Sequence, residues 1–112
     1  MNESNVPGFN EREKGFERKF EHDQELAFKI RSRRNKLLGL WAAQQLGLEG
    51  DAAETYAKNL VAAGMAKSGD EPIAAKLTAD FTAKAVSIDA TRIQREMARC
   101  ADEAKGHFAP GK

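Results

Sequence analysis

The feature that most constrains this chain is a proline-free stretch over residues 9–46. Its apolar side chains recur at helical spacing and fall within about a third of a helical wheel, which is the pattern of one amphipathic helix. They are Phe9, Phe16, Phe20, Leu26, Ile30, Leu37, Leu38 and Trp41. At about 1.5 Å per residue, such a helix would be on the order of 55 Å long. The rest of the fold therefore has to pack around part of this helix.

The long helix should stop at Gly47 or Gly50, and three shorter helices are predicted after it. The first should start after an Asp51 cap and end near residue 66. Pro72 in a first turn starts the next, and Asp89 is the expected N-cap of the last, which should end at Gly106. Nineteen alanines, against eleven valine, isoleucine and threonine residues, favour close helix packing over a sheet. The predicted fold is all-α, a four-helix bundle whose long first helix projects at its N-terminal half.

Apolar stripes on the four predicted helices define an expected core, because the stripes must face one another in a bundle. In the third helix the stripe runs from Ile73 through Leu77 and Phe81 to Ala85. The predicted structural core consists of Leu26, Ile30, Leu37, Leu38, Trp41, Tyr56, Leu60, Val61, Ile73, Leu77, Phe81, Ile93 and Met97.

The predicted helix lengths leave part of the first helix uncovered. Each shorter helix spans only about 24 Å, so together they can cover less than half of the long one. Because Leu37, Leu38 and Trp41 lie next to the loop that leads into the second helix, the covered part should be the C-terminal half. We therefore expect four segments: a disordered leader (residues 1–8), an N-terminal arm (residues 9–25), a four-helix body (residues 26–106) and a tail (residues 107–112).

Composition excludes several classes of function. The 18 basic and 17 acidic residues nearly cancel, which removes the bulk electrostatic case for binding nucleic acid or an anionic membrane. No apolar run approaches the ~20 residues of a membrane span, and the first ten residues lack the apolar segment of a secretory signal. A single cysteine cannot form an internal disulfide. A cytoplasmic protein without direct membrane insertion is the simplest interpretation.

Few residues are candidates for catalysis or metal binding. His22 and Asp23 are adjacent in the predicted helix and point about 100° apart, with no second histidine near in sequence, so no metal site is expected there. Cys100 sits at a core-like position, which favours a buried structural thiol over a nucleophile. Glycine-rich phosphate loops are absent from the sequence. We expect no catalytic residue, metal or cofactor, and hence a protein that is not an enzyme.

A basic cluster in the long helix supports a competing hypothesis. Its five cations have no acid among them and could contact a phosphate backbone; they are Lys29, Arg31, Arg33, Arg34 and Lys36. They spread around the helix instead of lining one face, and Arg34 falls within the apolar stripe, where a snorkelling or paired arginine is expected. The alternative function is therefore a helical adaptor or nucleic-acid-binding protein that uses this basic cluster.

The predicted arm has the features of a docking segment. Phe16 and Phe20 lie on its apolar stripe, with little of the chain left to cover them, as in helices that bind a groove on a partner. A glutamate row at every fourth position and the helix-weakening Gly15 make the free arm marginal as a helix. We expect a partner to complete its folding. The competing interpretation is an ordinary solvated helix face.

Three motifs in the first helix resemble the zeta subunit of α-proteobacterial F1F0-ATPases. They are F-x-E-R-E at residues 9–13, K-F-E-H-D-x-E-L-x-F-K at residues 19–29 and R-R-N-K-L-L-G-x-W-A-A at residues 33–43. A looser similarity continues to Met97 and so covers nearly the whole chain. The family consists of small four-helix proteins, and Gly15 stands here where its members commonly have a better helix former.

The resemblance implies inhibition of ATP hydrolysis. In that family the N-terminal segment enters a catalytic αβ interface of F1 beside the central γ stalk and blocks rotation, so the implied partners are the α, β and γ subunits. The implied location is cytoplasmic and peripheral to the inner membrane through the F1F0 complex, with a monomer when free. Carried over to this chain, the partner-binding residues of the arm are Phe9, Arg12, Glu13, Phe16, Lys19, Phe20, His22 and Asp23.

Overall fold

The long helix predicted from the sequence is present as a helix of 39 residues. The computed structural model describes the backbone of residues 7–67 and 69–108 and the side chains of residues 22–67 and 69–108. Over these residues the chain forms four α-helices: α1 (Pro7–Gln45), α2 (Gly50–Ala66), α3 (Glu71–Ala83) and α4 (Ala90–His107). The predicted all-α four-helix architecture is confirmed.

The outer ends of the helical region differ slightly from the predicted boundaries. Helix α1 begins at Pro7, inside the predicted leader, where a proline costs nothing because the first helical N–H has no partner within the helix. The rest of the leader, residues 1–6, lies outside the described residues. Helix α4 extends one residue past Gly106 to His107, and Phe108 is its C-cap. Residues 109–112 of the predicted tail also lie outside the described part.

Helix α1 ends at a glycine, as predicted. Gly47 has φ of 80°, a left-handed conformation that side chains disfavour. The Leu48 N–H donates to the Ala43 carbonyl over 2.8 Å, and the Gly47 N–H donates to the Gln44 carbonyl over 3.1 Å. These two bonds form a Schellman motif, which satisfies the last carbonyls of the helix and turns the chain toward α2.

The sequence predicted Asp51 as the N-cap of α2 and Asp89 as the N-cap of α4. Asp51 is not the N-cap of α2, because the helix starts at Gly50 and its N-cap is Glu49, whose side chain forms no capping hydrogen bond. Asp51 instead lies in the first turn, where its charge is favourable to the helix dipole. The Asp89 cap of α4 is confirmed: its carboxylate accepts a hydrogen bond from the Arg92 N–H over 2.9 Å.

Helix α3 is shorter than its predicted apolar stripe. It ends at Ala83, so Ala85 does not continue the stripe and is exposed. Ala85 has φ of 58°, the only non-glycine residue of the described chain with a positive φ. The Val86 N–H donates to the Phe81 carbonyl over 2.8 Å, and the Ala85 N–H donates to the Thr82 carbonyl over 3.1 Å. This is the same motif that ends α1, with alanine in the glycine position.

Helix α1 packs against α2 and α4, and α3 packs against the same two helices. Gly39 allows a close approach of α1 and α2, because a Cβ atom at this position would lie 2.6 Å from the Cα atom of Ala57. Trp41 of α1 reaches α3, where its ring meets that of Phe81 edge-on at 5.8 Å between centroids. Small residues thus bring α1 and α2 together, and an aromatic pair connects α1 to α3.

The core lies between the C-terminal part of α1 and the other three helices. Of the predicted core residues, the buried ones are Leu38, Leu60, Ile73, Leu77, Phe81, Ile93 and Met97. Leu37, Trp41 and Tyr56 are half-buried and pack against that cluster. Leu26, Ile30 and Val61 are also half-buried but lie outside the cluster. The prediction missed several fully or almost fully buried small and polar residues of α1, namely Asn35, Ala42 and Ala43.

Candidate functional site

The N-terminal part of α1 projects from the body. Among the described side chains of α1, the first buried one belongs to Arg34. Residues 22–29 are exposed except for the half-buried Leu26. The described molecule measures 69 Å along its longest axis but only 29 and 25 Å along the others, since the other helices are less than half as long as α1. The first half of α1 is therefore the element that the fold leaves available to a partner.

The predicted docking residues all fall on this projecting part of α1. Six of them have side chains outside the described residues, and for these the structure gives only a place on the helix: Phe9, Arg12, Glu13, Phe16, Lys19 and Phe20. The other two, His22 and Asp23, are described and are exposed. The assignment of these eight residues to a docking surface stays a prediction.

Apolar side chains continue along α1 between the arm and the body. Phe28 is 41% exposed, which makes it one of the two large apolar side chains in the described part that lie open to solvent. Leu26 and Ile30 are half-buried nearby. Leu26 and Ile30 lie on the apolar stripe that contains residues 16 and 20, so they can contribute area to a partner interface, whereas Phe28 lies outside that stripe.

A buried polar network connects α1 to the loop between α2 and α3. Arg34 is 7% exposed, and its Nη1 donates to Oδ1 of Asp70 over 2.7 Å. Its Nε donates to Oδ1 of the buried Asn35 over 2.9 Å. Asn35 in turn packs against Gly64 of α2, where a Cβ atom would collide with the amide. The sequence predicted a snorkelling or paired arginine but did not identify Asp70 or Asn35 as its partners; the position of Arg34 within the apolar stripe was the available signal.

The basic cluster is divided among several environments. Lys29 lies 3.7 Å from a carboxylate oxygen of Glu25, and Lys36 lies 3.5 Å from one of Glu54. Arg34 is buried and paired, as described above. Three of the five cations therefore already have a carboxylate partner, and they do not form a single face. This arrangement gives little support to a phosphate-binding surface, which needs several cations directed at one backbone.

The perturbed titratable groups of the body have structural causes. Burial and a 2.6 Å hydrogen bond from the Tyr56 hydroxyl to Asp80 Oδ2 raise the pKa of that tyrosine above its ordinary value. Lys76 also donates to this oxygen over 3.1 Å. Burial raises the pKa of the Cys100 thiol, which keeps the thiol protonated and unreactive. These groups stabilise the bundle and do not converge on a reaction site.

The described residues contain no cluster of three or more His, Cys, Asp or Glu side chains that could bind a metal. Within the same part of the chain, none of the helices has the length and apolar composition required to span a bilayer. The geometry thus provides one distinctive feature, a long projecting helix on a small bundle.

Comparison with known proteins agrees with this geometry. A protein-family model described as "ATPase inhibitor subunit zeta" matches residues 6–107. A search of curated proteins gave no match. The resemblance noted in the motifs of the first helix is confirmed, and the match extends over all four helices. The chain therefore belongs to the ATPase inhibitor subunit zeta family.

Proposed function

We propose that this protein is a non-enzymatic regulator that inhibits ATP hydrolysis by F1. In this proposal the arm of α1 enters a catalytic αβ interface beside the γ stalk and blocks rotation. The α, β and γ subunits are its partners, and binding to F1 holds it at the inner membrane as a peripheral component. The free protein is monomeric and needs no cofactor. The family membership supports inhibition, and the projecting helix supports the arm as the inhibitory element.

The observation that carries this proposal is the difference in width between the arm and the body. A single α-helix with its side chains is about 10–12 Å across, whereas the whole molecule measures 29 by 25 Å across its long axis. A cleft between two subunits can admit a single helix while it excludes the wider body. The body would then stay outside the interface and limit how far the arm inserts.

The polar network at residues 34, 35 and 70 supports a mechanical role for the body. Blocking a rotating stalk requires that force on the arm be resisted where the helix enters the bundle. Arg34 and Asn35 are the first buried polar side chains among the described ones of α1, and the bond to Asp70 connects them to the loop after α2. This connection would hold the arm in a fixed direction relative to the body.

The experiment that tests the proposal is an assay of ATP hydrolysis by purified F1 from the same organism, with and without the full-length protein. We expect saturable inhibition that reaches completion at one inhibitor per F1. An unchanged hydrolysis rate at saturating protein would exclude the proposed function.

Two arm variants and a matched control locate the inhibitory surface. Phe16→Glu and Phe20→Glu each remove an aromatic anchor and place a charge in the docked interface, so each should weaken binding about thirtyfold or more. Phe28→Glu makes the same chemical change on α1, about a quarter turn away from that stripe, at a side chain that is 41% exposed. It should inhibit nearly as well as the parent protein. Equal losses in all three variants would show that the stripe is not the docking face.

A further inference from the structure

A groove lies where the arm joins the body, between α1 and the C-terminal end of α4. Its volume is about 260 Å³. We call it the arm-base groove, and its lining residues are Ala27, Ile30, Arg31, Arg34, Ala101 and Lys105. Three of these six residues are apolar and three are cationic. Ile30 is only half-buried there, in contrast to Ile73 and Ile93 in the core.

The arm-base groove continues the face of the arm that is predicted to dock. Ala27 lies seven residues after Phe20, and Arg34 lies seven residues after Ala27. Seven residues are about two helical turns, so these positions follow one another along one side of α1. A partner that covers the stripe at residues 16 and 20 and continues toward the body therefore meets the groove next, and then the end of α4.

The charged residues that line the groove are all positive. Arg31 and Lys105 are both exposed, and no acidic residue is among the residues that line the groove. From residue 26 to its end at Gln45, α1 contains no aspartate or glutamate. An apolar floor between two exposed cations complements a segment that presents apolar side chains flanked by carboxylates.

The size of the groove favours side chains over a whole small molecule. Pockets for small-molecule ligands usually measure about 300–1,000 Å³, and the arm-base groove is smaller and open to solvent. Its apolar floor is formed by two alanines and an isoleucine, and Arg34 is the buried polar residue among those that line it. Such a floor can accept an apolar side chain of a neighbouring helix, because small residues leave room for a close approach.

We propose that the arm-base groove is a second docking surface, which binds an acidic amphipathic segment of F1 while the arm is inserted. The inference rests on the proposed function and deepens it, because it adds Arg31 and Lys105 as partner-binding residues beyond the arm. The interface then runs from α1 onto α4. In this arrangement the body adds to the affinity for F1 and also limits how far the arm inserts.

The test measures binding of full-length variants to purified F1 at low and high salt. Arg31→Glu and Lys105→Glu reverse the two exposed cations, and Lys58→Glu makes the same change at an exposed site on α2, away from the groove. We expect each groove variant to weaken binding about three- to tenfold at low salt, mainly through slower association, and the double variant to lose more. The loss should shrink as salt rises, because the charges are exposed. Lys58→Glu should bind like the parent protein.

Hydrogen exchange on the complex gives an independent readout. Peptides from residues 100–107 of α4 should become protected when F1 is added, while peptides from α2 should not change. Groove variants with the same affinity for F1 as Lys58→Glu would overturn the inference, and so would unprotected α4 peptides. If the parent protein inhibits and Phe16→Glu does not, those results leave the proposed function intact.

Discussion

Arg34 and Asp70 form an ion pair of 2.7 Å between a buried turn of α1 and the N-cap residue of α3. The two ends of this pair differ in environment, since the Arg34 side chain is 8% exposed and that of Asp70 is 61% exposed. The Nη2 atom of Arg34 is buried and has no hydrogen-bond partner among the described residues. The pair therefore combines a buried, incompletely satisfied cation with an anion that remains in water.

This asymmetry predicts different costs for the two ends of the pair. Asp70→Ala leaves the buried guanidinium with one partner fewer and should lower the free energy of unfolding by about 1–3 kcal/mol. Arg34→Met removes the charge together with its unsatisfied nitrogen and keeps much of the side-chain volume, so it should cost less. Its remaining penalty comes from Asn35, whose Oδ1 loses a donor. Urea unfolding of both variants is the measurement, and a larger cost for Arg34→Met would contradict the argument.

The repeated helix-ending motif predicts opposite effects of two reciprocal substitutions. Ala85 adopts a left-handed conformation that costs a non-glycine residue about 1–2 kcal/mol, and its side chain is exposed. Ala85→Gly should therefore stabilise the protein by about 0.5–1 kcal/mol after the entropy of the new glycine is subtracted. Gly47→Ala should destabilise it by about 1 kcal/mol for the same reason. The thermal midpoint should therefore rise for Ala85→Gly and fall for Gly47→Ala. A lower midpoint for Ala85→Gly would mean that the methyl group of Ala85 makes a stabilising contact.

The raised pKa of Tyr56 predicts that the protein loses stability at alkaline pH. Burial and then its hydrogen bond to Asp80 raise the pKa of the folded tyrosine above the unfolded value of about 10. Folding thus favours the protonated tyrosine. Its contribution to the free energy of unfolding is complete below about pH 10 and is lost as the pH rises further. Tyr56→Phe should show a shallower decline in unfolding free energy between about pH 9 and pH 11. Cys100 is present in the parent protein and in Tyr56→Phe, so its contribution to the pH dependence cancels when the two are compared.

Tyr56 is the only tyrosine of the chain, so its phenolate absorbance reports this group alone. In the folded protein the absorbance should rise at a higher pH than in urea. Coincident titration curves for the folded and unfolded protein would show that the hydroxyl is not held by Asp80.

The sequence predicted the helical architecture because its local signals agree with one another. The apolar stripe of α1, the glycine after its end and the Asp89 cap of α4 all depend on residues close in sequence. These are the signals that periodicity and capping rules detect. The end of α3 was missed because the four-residue spacing of the stripe continues to Ala85, and nothing local predicts that Ala85 adopts a left-handed conformation.

Contacts between distant residues could not be predicted in this way. The partner of Arg34 lies 36 positions away in a loop, and the arm-base groove exists only because α4 ends beside residues 27–34 of α1. Leu26 and Ile30 were placed in the core by their periodicity, yet they are half-buried because the bundle covers that part of α1 incompletely. For the arm, the docking residues came from family resemblance, and helix geometry supplies only their place on a projecting element.

Two truncations separate the arm from the body. Removal of residues 1–24 takes away, among the described side chains, only exposed ones, and it keeps the Lys29–Glu25 pair and the Arg34 network. The remaining chain should unfold within about 0.5 kcal/mol of the parent, the usual range for surface changes, and should no longer inhibit F1.

Removal of residues 1–34 also deletes Arg34 and the half-buried Leu26 and Ile30. Asp70 then has no cation to accept from, and α4 loses the part of α1 that it covers near Ala101. This shorter chain should be less stable by about 2 kcal/mol or more, since it loses both partly buried apolar area and the ion pair. Calorimetry and the hydrolysis assay on both truncations provide the comparison. Full inhibition by the chain that starts at Glu25 would place the inhibitory surface on the bundle, and equal stability of the two truncations would show that the body begins after Arg34.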